Sequence, residues 1–340
     1  MKIASWNVNS ILARLPHVVR WLESVQPDVL CMQETKCTDD KFPFEELSRI
    51  GYCASVFGQQ SYNGVAIIAR RECAEVQRGN YEDQEGAHAR LLAATIHDVR
   101  LVNVYIPNGQ SVGSEKFVFK LDWMKRLRGF LDFNYQSSAP VILCGDFNVA
   151  PEDRDVHNPQ LWQERIMCSQ AERTALDEIK RWGFTDTFRL HHEEGGQFSW
   201  WDYRAGAFRR NMGLRIDHIW GTKPLAGRSV NTWIDIEPRT WERPSDHAPM
   251  RNKPPTQRVE RHISGLVIAA DDQQFLAGRG VPSRWIVVHP AVAHVHAIHD
   301  GITKRSAALD DPPTHGSDIG IGQHSCQSLA RGAASGSRAV

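Results

Sequence analysis

The sequence predicts an α/β fold across its first 250 residues, and three features carry that prediction. Short apolar runs recur with segments of helical spacing between them, polar residues stand at the ends of those runs, and the pattern stops after Met250. "KIASWNV" and "VLCMQET" read as strands, and between them Val18, Leu22 and Val25 sit at helical spacing behind Pro16, which predicts a helix. "VAIIAR" follows the turn pair Asn63-Gly64. "ARLLAATI" and "VRLVNVYIP" flank His97-Asp98, the pattern of a hairpin. Phe117, Leu121, Met124 and Leu127 form a helical stripe behind Ser114, a suitable N-cap. Ser169 and Glu172 have the spacing of a capping box ahead of a further helix. "VILCGDFNVAP" begins as a buried strand, and "RIDHIWGT" and "NTWIDIEP" close the pattern as strands.

Composition narrows the function classes. The apolar fraction of 41% supports a sizeable core, and 40 basic against 40 acidic residues leave no net charge. A globally basic nucleic-acid binder is therefore excluded, and any such binding must come from local patches. The seven cysteines are odd in number, scattered and without a CxxC pair, so neither a disulfide framework nor a zinc site is indicated. Reduced thiols and a polar start, "MKIASWNVNS", predict a cytoplasmic protein. No run approaches the ~20 apolar residues of a membrane span.

After Met250 the character changes. "RNKPPTQRVERH" has no alternation, and the remainder is rich in Ala, Gly, Ser, Asp and His. Residues 1–250 are expected to form the catalytic domain and residues 251–340 a disordered tail. The four histidines of "HPAVAHVHAIHD" have no companion acid or cysteine that fixes a geometry, and biased composition accounts for them.

Polar residues gather at strand ends: Asn7 after "KIASW", Glu34 after "VLCMQ", Tyr105 and Asn108 in "LVNVYIPN", Asp146 and Asn148 in "VILCGDFN", Asp217 in "LRIDHIW" and Asp246-His247 in "SDHAP". Sheets that contain parallel strands collect function at one edge from residues far apart in sequence. Each acid alone reads as an ordinary loop residue; the conjunction does not. Oxygen ligands without thiols or paired histidines suit Mg²⁺, or Mn²⁺, rather than Zn²⁺. A hard cation beside a histidine and a tyrosine suits hydrolysis of a phosphate ester.

The motifs "WNVNS", "QETK", "NVYIPNG", "CGDFNVAPEDRDVHNP", "FSWWDYR", "GLRID" and "SDHAP" occur in that order, and together they resemble the exonuclease III family of bacterial abasic-site endonucleases. The resemblance covers residues 1–250. It implies a four-layered α/β sandwich, with two packed mixed sheets flanked by helices. It also implies a monomer that acts on double-stranded DNA with abasic sites or blocked 3′ ends. Carried over by position, Glu34 would be the principal metal ligand, with Asn7, Asp146, Asn148, Asp246 and His247 around the same ion. Asp146 would align and deprotonate the attacking water, and Asn148 would hold that water or the phosphate. Tyr105 would contact the scissile phosphate. His247 would stabilise the phosphorane, oriented by Asp217, an arrangement that also makes physical sense because a carboxylate fixes an imidazole's tautomer and favours its charged form.

Trp200, Trp201 and Leu214 are candidates to line a pocket for an extrahelical deoxyribose; adjacent strand residues face opposite ways, so one tryptophan is favoured over both. Lys36, Arg90, Arg209 and Arg210 are candidate phosphate contacts, and Asn108 a further DNA contact. The Lys125, Arg126, Arg128 group reads as a solvated helical face. Two other readings compete with the nuclease: a phosphatase of the same superfamily, and a non-catalytic nucleic-acid-binding relative. In the resembled family an apolar strand follows "SDHAP". Arg251, Asn252, Lys253, Pro254 and Pro255 are not expected to supply one, which would leave Asp246 and His247 without their anchor unless "ISGLVIAA", residues 263–270, replaces the strand at longer range.

Overall fold

The computed structural model describes residues 1–80 and 88–253. Strands alternate with helices in the order β1 (Ile3–Asn7), α1 (Ile11–Val25), β2 (Val29–Gln33), α2 (Phe44–Arg49), β3 (Cys53–Phe57), β4 (Val65–Ala69), β5 (Ala74–Arg78), β6 (Leu91–Ile96) and β7 (Val99–Tyr105). There follow α3 (Glu115–Asn134), β8 (Val141–Asp146), α4 (Pro159–Trp162), α5 (Gln170–Lys180), β9 (Phe184–Asp186), β10 (Asp217–Thr222), α6 (Lys223–Ala226), β11 (Asn231–Ile234) and β12 (Met250–Lys253). They build two six-stranded mixed sheets, ordered β11-β12-β1-β2-β4-β3 and β5-β6-β7-β8-β10-β9.

Three apolar clusters show the layering. Ile3, Cys31 and Ile67 of the first sheet meet Ala94, Leu101, Cys144 and Ile219 of the second. The opposite face of the first sheet, with Trp6, Leu30 and Ile68, packs on Val18, Trp21 and Leu22 of α1. The opposite face of the second, with Val102, Val104 and Leu143, packs on Met124, Leu127 and Phe130 of α3 and Leu176 of α5. This is the expected four-layered sandwich. Because β1, β2, β4 and β8 are covered on both faces, they read as continuous apolar runs instead of alternating ones.

Local chemistry sets the helix boundaries. Ser114 caps α3 by accepting from the Phe117 N–H, and Ser169 and Glu172 form the reciprocal capping box of α5. Helix α1 departs from expectation: it starts from Ser10, with Pro16 inside it. Pro16 is exposed, so the carbonyl its missing N–H leaves free lies on the solvent face.

The expectation that no strand follows "SDHAP" is overturned. β12 pairs antiparallel with β1, Ser5 opposite Met250, and with β11, Trp233 opposite Arg251. Long-range partners make a polar strand viable. The Arg251 guanidinium lies 4.6 Å from the Trp233 ring centroid and donates to Asp235 at 3.0 Å, and the Asn252 amide donates to Ser229 and Thr232. The chain around Asp246 and His247 is thereby anchored into the first sheet. The rest of the tail, including "ISGLVIAA", "HPAVAHVHAIHD" and the expected disorder, lies outside the described residues. Among the described residues all six cysteines are free thiols, and no helix is long and apolar enough to cross a membrane.

Candidate active site

Strand direction assembles the site. β1 and β2 run parallel, as do β7 and β8, so Asn7, Glu34, Tyr105 and Asp146 arrive together at carboxyl ends. β10 runs antiparallel to β8 with Asp217 opposite Asp146, which brings a second acid to the same edge. Gly145 allows this close packing: its φ is +142°, and a Cβ there would stand 1.9 Å from the Val104 carbonyl oxygen of the neighbouring strand. Phe147 turns away and buries against Trp220, while Asn148 returns to the site with φ +50°.

The carboxylates converge on Asn7. Its amide donates to Glu34 Oε1 at 2.8 Å and to Asp146 Oδ2 at 2.9 Å. Lys36 pairs with Glu34 Oε2 at 2.8 Å and donates to Asn9 Oδ1 at 2.6 Å. His247 Nδ1 donates to Asp217 Oδ2 at 2.9 Å, and its Nε2 lies 3.7 Å from Asp146 Oδ2. Asp217 Oδ2 also accepts from the Ser199 hydroxyl at 2.6 Å. One ligand atom each from Glu34, Asp146 and His247 lie within 4.8 Å of one another.

The electrostatics follow from burial and crowding. Burial pushes the Asp146 carboxyl up to about 7; Asp217 and Glu34 push the same way, against His247 and the Asn7 hydrogen bond. Burial pulls His247 down, but Asp217 and then Asp146 outweigh it and hold the imidazole at about 10, charged at neutral pH. Burial, Glu34 and Asp146 raise the Tyr105 phenol well above its ordinary range, so it stays a hydrogen-bond donor.

The other candidates are placed as follows. Asn148 Nδ2 donates to Asp146 Oδ2 at 3.2 Å, and the exposed Asn108 donates to Asn148 Oδ1 at 3.0 Å. Asp246 accepts from Asn9 at 2.8 Å and from the Trp200 indole at 3.0 Å; burial raises its carboxyl, but His247 and these donors hold it below the ordinary range. Trp200 is half-buried over Leu214, Ile216 and Val156, and its backbone bridges both Leu214 and His247. Trp201 faces the other way, 2% exposed, with its indole N–H on Asn211 and its ring edge-on to Phe208. Leu214 is wholly buried beneath Trp200. Arg90 stacks 4.7 Å from the Tyr105 ring centroid and donates to the Tyr105 carbonyl, which makes it a brace for Tyr105. Arg209 and Arg210 are exposed on the loop before Leu214. Arg126 pairs with Asp122 and Arg128 with Asp132 along α3.

Sequence reasoning missed Asn9 and Ser199. Asn9 joins Lys36 to Asp246, and Ser199 fixes Asp217 while accepting the Ile216 and Asp217 N–H groups at 3.0 Å. Both lie inside matched motifs, but their roles rest on partners more than fifteen residues away.

A four-layered sandwich with a charged imidazole, an elevated carboxyl and further acids at one sheet edge defines a hydrolase suited to phosphate esters. The chain belongs to the endonuclease/exonuclease/phosphatase family, whose sequence profile matches residues 4–247. It is 35% identical to exodeoxyribonuclease III of Haemophilus influenzae over 262 residues, covering 74% of this chain and 98% of that protein. Among solved structures it is similar to an AP endonuclease from Archaeoglobus fulgidus, with 39% identity, a TM-score of 0.73, and coverage of 75% of this chain and 100% of that one. It is also similar to the 3′ phosphatase NExo from Neisseria bound to product DNA hairpin, with 40% identity, a TM-score of 0.72, and coverage of 75% and 99%.

Proposed function

We propose that this DNA-repair nuclease uses a divalent cation, Mg²⁺ by the chemistry of its donors, to cut the phosphodiester on the 5′ side of an abasic site and to remove 3′-terminal groups from duplex DNA. The observation that carries the reading is the Asp217–His247–Asp146 chain, set beside Glu34 on one side and the Trp200 wall on the other. The donor set suits a hard cation: Glu34 and Asp146, with Asn7 between them, concentrate negative charge that burial alone disfavours. A cation held there would neutralise phosphate charge and polarise a non-bridging oxygen.

The protein's own groups supply the rest. Asp146, 3.7 Å from the His247 Nε2, accepts the proton of the attacking water, whose oxygen bonds to phosphorus as the bond to the 3′ oxygen breaks, and the departing 3′ oxygen takes a proton from solvent. The products are a 3′-hydroxyl and a 5′-phosphate. The His247 imidazolium donates to the phosphate oxygens as charge builds, Asp217 holds its ring, and Tyr105 donates from the opposite side. Asn148 and Asn108 fix the phosphate or the water. Glu34, Asp146 and Asn7 would hold the ion, with Asp246, His247 and Asn148 beside them. Lys36, Arg209 and Arg210 meet the DNA backbone. Trp200 presents the apolar surface over which a sugar without its base would sit, and the enzyme works as a cytoplasmic monomer with residues 1–250 as its catalytic domain and β12 closing the first sheet. The Neisseria relative favours a second reading, in which removal of a 3′-phosphate is the main reaction.

A panel of three duplexes decides between them: one with an internal abasic site, one with a 3′-phosphate and one with an intact recessed 3′ end. Abasic incision should dominate, and Trp200→Ala should reduce it about tenfold more than it reduces trimming of the intact end. Dominant release of inorganic phosphate from the 3′-phosphate duplex would establish the second reading instead.

A further inference from the structure

Helix α3 carries a lysine that is fully buried. Lys120 has no exposed surface, and its ammonium makes three contacts: the Asn148 carbonyl at 2.7 Å, the Asn108 carbonyl at 3.1 Å and the Glu172 carboxylate. All three of its N–H donors are spent. Glu172, the capping-box residue of α5, is equally buried, and it also accepts from the Met167 and Ser169 N–H groups and the Ser169 hydroxyl. A buried ion pair contributes little net stability over an apolar pair of the same shape, so stability alone does not explain it.

What the ammonium holds is informative. Asn108 and Asn148 leave the ends of the parallel strands β7 and β8, and Lys120 ties their two carbonyls to one point. On the other side of the same residues, the Asn108 amide donates to Asn148 and the Asn148 amide donates to Asp146. Asn148 also has a left-handed backbone, which something outside the residue must maintain. The Lys120 stem lies against Gly109, where a Cβ would stand 3.0 Å from its Cδ, so the lysine and the Asn108-Gly109 turn are fitted to each other.

We propose, resting on the nuclease reading above, that Lys120 is a positioning residue for phosphodiester cleavage: its ammonium clamps the Asn108 and Asn148 carbonyls and so holds the Asn108–Asn148–Asp146 chain in register with the scissile phosphate. It touches no substrate. Its contribution is to the geometry in which Asp146 and Asn148 meet the water and the phosphate.

The test separates the clamp from the ion pair. Lys120→Met alone strands the Glu172 charge and lowers the melting temperature. Lys120→Met combined with Glu172→Gln removes both charges and should melt near the wild type. Misplacement of reacting groups by about 1 Å costs on the order of 10²-fold, so the double variant should lose about 10- to 100-fold in kcat with KM within about twofold. Exchange of the Asn148 side-chain amide protons, followed by NMR without metal or DNA, should accelerate at least about tenfold. Glu172→Gln alone leaves the ammonium on both carbonyls and should keep most of kcat. A folded double variant with wild-type kcat and wild-type Asn148 exchange overturns the proposal. So does a folded Glu172→Gln enzyme that itself loses about tenfold or more in kcat, an outcome read against the wild type and therefore decisive even if the double variant does not fold. A wild-type enzyme inactive on every DNA substrate would overturn the nuclease reading, while the exchange measurement would still decide the clamp.

Discussion

Replacing Asp217 by Asn changes one charge and almost no volume at the centre of the site. Asp217 is wholly buried, and its Oδ2 accepts from His247 Nδ1 at 2.9 Å and Ser199 Oγ at 2.6 Å. The asparagine keeps an acceptor but loses the charge assistance, worth about 1.5–3 kcal/mol for a hydrogen bond to a charged group. If that loss appears fully in the transition state, kcat falls about 10- to 150-fold, and KM hardly moves because Asp217 does not reach the substrate. The pH profile carries a second signature. Asp217 is the largest influence raising His247, which stays charged up to about 10. Without it, burial pulls the imidazole down, so the variant should lose activity as pH rises across an alkaline range where the wild type does not fall. Steady-state kinetics on an abasic duplex from about pH 6 to about pH 9 measures both effects. A kcat within about twofold of wild type and an unchanged alkaline limb would refute the assigned role of the pair.

Two further perturbations test the frame around the site. Gly145→Ala forces a side chain into the Val104 backbone at φ +142°; strain and overpacking together cost about 3 kcal/mol or more, a fall of roughly 10 °C in melting temperature. His218 is wholly buried between the Arg215 guanidinium and the Val149 carbonyl, and burial with Arg215 depresses it to about 3. Its folded value lies below the unfolded one, so the stability it carries is complete above about pH 6.5 and drains away as pH falls towards the folded value. At pH 5 that loss is about 2 kcal/mol, and the gap in melting temperature between wild type and His218→Gln should narrow by that equivalent from pH 7.5 to pH 5, with an unchanged gap counting against a neutral His218.

The two-sheet core was readable because its strands are covered on both faces. Runs such as Val141, Ile142, Leu143 announce themselves locally, and so do the acids that end them. The edge strand β5 is exposed along most of its length and carries no such run. β12 escaped because Arg251 and Asn252 obtain their stability from Trp233, Asp235, Ser229 and Thr232, which no local pattern links to them. Lys120 looks like one more surface lysine on an amphipathic helix; its partner Glu172 is visible only as a capping residue, and their meeting depends on how α3 and α5 pack on the second sheet. The tryptophan pair shows the intermediate case. Alternation predicted that the two would face opposite ways, and they do: the half-buried Trp200 reaches Asp246 with its indole, and the buried Trp201 reaches Asn211.

Metal dependence at the Glu34–Asp146 edge is the central claim, and its most direct test is incision of a duplex with one abasic site by protein stripped with chelator and then titrated with Mg²⁺. Incision should vanish on stripping and return with Mg²⁺, and Glu34→Gln should need at least about tenfold more Mg²⁺ to reach half its maximal rate. Undiminished incision by the stripped protein in excess chelator, or a Glu34→Gln titration that overlays the wild type, would contradict the account.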